Sequence, residues 1–126
     1  MELELQIVTH ASVAAVRCSG RLIYGQEASE FVRTLRQLLN TTKQIVLQLA
    51  DVTRIDSGGV GALAEAFMAA HNREAEIKLA TLSPRVEEVL RITALELLFD
   101  IHNSETEAVE AFSRSSKEAP ACELHL

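Results

Sequence analysis

The residues best placed to do chemistry lie in one stretch, Asp51-Val-Thr-Arg-Ile-Asp-Ser-Gly-Gly-Val-Gly61. The apolar run Ile45 to Leu49 precedes it, and Val60, Leu63, Ala64, Phe67 and Met68 follow at helical spacing, so Asp56 and Ser57 are expected where a strand feeds a helix. Open α/β sheets meet ligands and partners at the carboxyl ends of their strands, and a helix N-terminus adds unpaired N–H groups with a positive partial charge. A serine there is suited to acquire an anion. Phosphorylation of Ser57 adds about −1.5 to −2 charges, which the helix start stabilises and Asp56 opposes, so the fold is expected to survive while its surface changes.

Other chemistries fit the stretch less well. Gly58-Gly59-Val60-Gly61 is not followed by the Lys-Ser/Thr of a phosphate loop. Asp56-Ser57-Gly58-Gly59 also occurs around the nucleophile of trypsin-like proteases, but Ile55 and Val60 replace the flanking Gly and Pro, and the chain is too short for two barrels. Without Gly at 55 there is no nucleophile elbow, and nothing in the sequence sets His10, His71, His102 or His125 beside Ser57 as a base. The histidines form no i, i+4 pair, so no metal or cofactor is expected and the chain is not read as an enzyme. Local pattern alone makes Ser57 an N-cap and the glycines the needs of a tight turn.

The elements that carry this stretch follow from periodicity. Leu3, Leu5 and Ile7 alternate with Glu4, Gln6 and Val8, a strand ending near His10, and Val13 to Cys18 returns antiparallel after a turn at Ala11-Ser12, stopping at Ser19-Gly20. Ala28, Phe31, Leu35, Leu38 and Leu39 mark a helix from Gly25 to Asn40. Ile45 to Leu49 is a strand buried on both faces, Asp51 to Ser57 a loop, and the next helix extends to His71-Asn72. Glu76 to Ala80 and Leu97 to Ile101 are further strands. Between them Ser83-Pro84 opens a third helix, and Ser104 with Glu107 opens a fourth that ends at Phe112. This order implies an α/β fold with a mixed, mainly parallel sheet of about five strands, an antiparallel N-terminal edge strand and four helices. Residues 1–112 are read as one domain and 113–126 as a polar, mobile tail.

Composition narrows the partners. The 126 residues are 48% hydrophobic and 24% charged, as in globular chains, but 12 Lys and Arg against 18 Asp and Glu leave −6, which opposes binding to nucleic acid. Aromatic residues at 4%, with no Trp, supply no stacking platform for bases. Cys18 and Cys122 stand far apart, acids occupy the first positions, and no apolar run reaches the roughly 18 residues of a membrane span, so a reduced, cytoplasmic setting without membrane insertion is expected.

Taken together, these residues resemble the STAS domain family, and in particular its bacterial anti-sigma factor antagonists. Asp51, Ile55 and Asp56-Ser57-Gly58-Gly59-Val60-Gly61 take the places of the family signature, with Ser57 on the phosphoacceptor. Ser19-Gly20-Arg21-Leu22, Leu82-Ser83-Pro84-Arg85-Val86 and Arg91-Ile92-Thr93-Ala94-Leu95 match in kind, so the likeness extends over roughly residues 1–112. It implies a switch: the unmodified protein binds an anti-sigma factor that is also a serine kinase, phosphorylation of Ser57 ends that binding, and a phosphatase resets it. The partner-binding residues it implies are Thr53, Asp56, Gly58, Gly59 and Gly61, with Ile23 and Tyr24 on the neighbouring loop. Two positions depart from the pattern. Gly58 stands where many antagonists carry a second hydroxyl, and Ile23-Tyr24 where the family commonly has Asp. They sustain the alternative of a non-switching scaffold, either a stressosome-like component or the soluble subunit of a membrane lipid transporter. Such a scaffold would assemble with itself or with other STAS proteins.

Overall fold

The computed structural model describes residues 2–113. Its strands are β1 (Leu3–His10), β2 (Val13–Leu22), β3 (Gln44–Ile55), β4 (Glu76–Ala80) and β5 (Asp100–His102). Three helices, α1 (Gln26–Leu38), α2 (Ser57–Asn72) and α3 (Pro84–Ile92), alternate with them, and a fourth, α4, covers 105–113. The sheet order is β1-β2-β3-β4-β5, with β1 antiparallel to β2 and every other pair parallel. This is the mixed sheet with an antiparallel edge that the element order implies.

Alternation along β3 divides the core between two faces. Ile45, Leu47 and Leu49 join Phe31 and Leu35 of α1, Leu63 of α2, and Val86 and Leu90 of α3. Val46 points the other way, into a smaller cluster with Val13, Ala15, Ala80, Ala108 and Phe112. Each fully buried Val, Leu, Ile or Phe among these contributes about 1.5–3 kcal/mol, so β3 anchors both layers. Ionic contacts also fix α4: Arg17 and His10 reach Glu105 at 3.0 and 2.9 Å, and the Lys78 ammonium lies 4.8 Å from the Phe112 ring centre. Lys78 is 3% exposed and bonds Asp100 at 2.7 Å and Glu76 at 3.0 Å.

Three boundaries differ from the periodicity. β2 does not stop at Ser19-Gly20 but passes through register shifts there and ends at Leu22. Asp51 to Ile55, expected as loop, continues β3, because Ser19, Gly20, Arg21 and Leu22 supply partners while Val52 and Ile55 stay buried. The last strand is Asp100–His102 rather than Leu97–Ile101, and Leu95–Leu97 forms a 3-10 turn after Ala94 at φ +63°. In that apolar run only Phe99 is buried. The caps fall where expected: Ser83 accepts from Val86 N–H at 3.3 Å and Ser104 from Glu107 N–H at 3.1 Å. The polar tail, with Cys122 and His125, lies from 114 onward outside the described residues.

Candidate functional site

β2 and β3 end side by side, Leu22 opposite Ile55, and each chain then turns into a helix. Asp56 leaves β3 with extended backbone, φ −121° and ψ −172°, and so becomes the N-cap of α2. Its Oδ1 accepts from Gly59 N–H at 3.0 Å and its carbonyl accepts from Val60 N–H at 2.9 Å. The same carboxylate accepts from Tyr24 N–H, at 2.9 Å to Oδ1 and 3.1 Å to Oδ2. One side chain therefore closes the helix start and ties down the link between β2 and α1. Burial works against its charge, but the N–H groups of Gly59, Tyr24 and Gly58 outweigh it and hold the carboxyl below its ordinary range.

Ser57 is the first residue of α2 and is exposed. Because Asp56 does the capping, the hydroxyl of Ser57 stands at the helix start without being required there. Gly59 is buried against Leu22, whose carbonyl oxygen would stand 2.1 Å from a Cβ at 59, so a side chain is excluded. Gly58 is half-buried against Tyr24, whereas a Cβ at Gly61 would meet nothing within 4 Å. The three glycines thus differ: two let backbones approach and the third does not.

The remaining expected site residues gather at the same pole. Thr53 is exposed, and its hydroxyl donates to the Gly20 carbonyl at 3.2 Å. Ile23 is half-buried, while the Tyr24 side chain is 81% exposed directly beside Gly58. The histidines go elsewhere: His10 bonds Glu105, His102 bonds Asp100, and His71 stacks on Phe67. Sequence reasoning did not foresee the Asp56–Tyr24 bond. Its donor is a backbone amide, which every residue but proline carries, so residue type at 24 holds no signal for it.

Comparison with known proteins agrees with this architecture. The family model described as STAS domain matches residues 4–108. An anti-sigma F factor antagonist of Paenibacillus polymyxa is 26% identical over 112 residues, covering 86% of this chain and 94% of that protein. Among solved structures, the anti-sigma factor antagonist SpoIIAA in its unphosphorylated form has a TM-score of 0.75 at 17% identity, over 87% of this chain and 96% of that one. The Bacillus cell fate determinant SpoIIAA in the phosphorylated form has a TM-score of 0.69 at 16% identity, over 86% and 99%. At those identities the structural likeness speaks to the fold.

Proposed function

This chain belongs to the STAS domain family, and from that premise we propose that it is an anti-sigma factor antagonist switched at Ser57. The observation that carries the reading is the division of labour at α2: Asp56 holds the helix start and Ser57 stays exposed. In the reaction the Ser57 Oγ gives its proton to a base of the kinase and attacks the γ-phosphorus of ATP, whose bond to the β,γ-bridging oxygen breaks to release ADP. The product is a phosphoserine on a helix N-terminus, where N–H groups and the helix dipole stabilise it. The partner surface, made of Thr53, Asp56, Gly58, Gly59, Gly61, Ile23 and Tyr24, then meets a dianion. Like-charge repulsion and desolvation weaken the complex tenfold for each roughly 1.4 kcal/mol. A relative named as an anti-sigma F factor antagonist supports an anti-sigma factor as the partner class; the switch in addition requires serine-kinase activity in that partner and a phosphatase that resets the cycle.

The second reading, a scaffold that does not switch, is favoured by Tyr24, whose exposed ring beside Ser57 suits a permanent apolar contact with another STAS domain. One experiment separates the two. The chain is incubated with serine-kinase anti-sigma factors and ATP, and intact mass and affinity are read for wild type, Ser57→Ala and Ser57→Asp. The switch predicts one added phosphate on wild type, none on Ser57→Ala with binding kept, and weaker binding by Ser57→Asp. Affinity indifferent to phosphate and to Asp leaves the scaffold.

A further inference from the structure

An open groove of about 720 Å3 runs between α1 and α2. Its walls include small apolar positions, Ala28 and Val32 from α1, Gly58 and Ala62 from α2. Tyr24 stands at the end formed by Gly58. Arg33, Arg36 and Arg73 also line it, and Glu65 is the sole lining carboxylate. Arg33 is paired with Glu30 on its own helix, so the guanidinium groups exceed the carboxylates by one, against a chain with net charge −6. Arg36 holds Glu65 at 3.3 Å in an exposed pair, the kind that yields to a new partner at little cost. Arg73 donates to the Arg36 carbonyl at 3.2 Å and, among the described residues, has no carboxylate within 4.0 Å.

We infer that this groove docks an acidic amphipathic helix of the partner protein, an inference that rests on the antagonist reading and names the chemistry of the surface it binds. Small side chains along the walls let a second helix approach, and from Gly58 to Arg73 the groove follows roughly 22 Å of helix, about four turns. Carboxylates on the flank of the incoming helix meet guanidinium groups, whose planar donors suit them. Tyr24 covers the end by the switch, in the manner of aromatic anchors at interfaces. The direction of control follows from charge. Ser57 is the chain neighbour of Gly58, which lines this end, so a dianion there repels an acidic helix, whereas it would attract a basic one. Nucleic acid, the other polyanion, finds one aromatic ring here and no stacking series.

The test titrates the full chain, labelled for amide NMR, with a blocked helical peptide carrying Leu and Ala on one side and Glu on the other. The same peptide with Lys for Glu, and an oligothymidylate, serve as controls. Amides of Val32, Arg36 and Ala62 are expected to shift with the Glu peptide alone, and Arg36→Glu and Arg73→Glu each to weaken binding about tenfold. Arg36→Gln and Arg73→Gln, which lose the charge without adding another, are expected to weaken it less, and the dispersion of each variant's spectrum reports its fold. Shifts confined to another surface, equal binding of the Lys peptide or the oligothymidylate, or affinity unchanged in both reversals would overturn the proposal. Phosphate incorporation at Ser57 is scored separately. Intact phosphorylation without peptide binding removes the groove alone, and peptide binding without phosphorylation removes the switch alone.

Discussion

Gly58 lies so close to Tyr24 that a Cβ at position 58 would stand 2.5 Å from both the Cα and the Cβ of the tyrosine. The absent side chain at 58 and the backbone path of the 23–25 link are therefore one feature. Gly58→Ser is expected to push the 23–25 link outward at a cost of about 1–3 kcal/mol. Thermal melts and the Tyr24 amide shift check this; an unchanged melt with an unmoved amide would show that the contact is slack.

Substitutions at 56 and 57 should have unequal consequences for stability. Asp56→Ala removes the cap of α2 and the Tyr24 bond together and is expected to cost about 1–2 kcal/mol. Ser57→Ala removes an exposed hydroxyl and is expected to stay within about 0.5 kcal/mol of wild type. Urea unfolding of the two variants decides it. A Ser57→Ala penalty equal to that of Asp56→Ala would make the hydroxyl part of the scaffold.

Acid should loosen α4. Arg17, donating to Glu105, holds that carboxyl below its ordinary value against the opposing effect of burial, and His10 adds to the effect. A group whose folded pKa is depressed stabilises the fold above its unfolded pKa and loses that contribution as pH falls through the folded value. The protection of amides in 105–113 against hydrogen exchange, taken relative to the intrinsic rate at each pH, is therefore expected to fall as pH drops below the ordinary glutamate value of about 4.3. In Glu105→Gln the same amides should exchange faster already at neutral pH, by up to about 1 kcal/mol, and respond less to acid. Exchange that follows acid equally in both proteins would assign the effect to other carboxylates.

Cys18 should be silent. It is 2% exposed, and burial pushes its thiol up to about 12, so the thiolate that alkylating reagents need is scarce at neutral pH. Iodoacetamide is expected to leave the Cys18 peptide unlabelled in native protein and to label it in urea. Labelling under native conditions would require local opening of β2.

How much of this was legible in the residues depends on range. The strand-to-helix passage around Asp56 and Ser57, the Ser83 and Ser104 caps and the doubly buried β3 all rest on neighbours in sequence, and periodicity finds them. The extension of β3 to Ile55 rests on pairing with the irregular end of β2, where polar Asp51, Thr53 and Arg54 look like loop until the partner strand is in place. β5 was displaced because Leu97 and Leu98 have strand-like side chains but remain exposed, at 81% and 44%. Arg33 and Arg36 lie outside the apolar positions that mark α1, yet nothing local shows that Arg73 lies across the same groove.

Since Asp56 alone closes the start of α2, position 57 is surplus to foldability. A lineage can gain or discard a hydroxyl there by single codon changes without crossing a valley of unstable intermediates. A change at 57 therefore leaves the architectural residue beside it untouched.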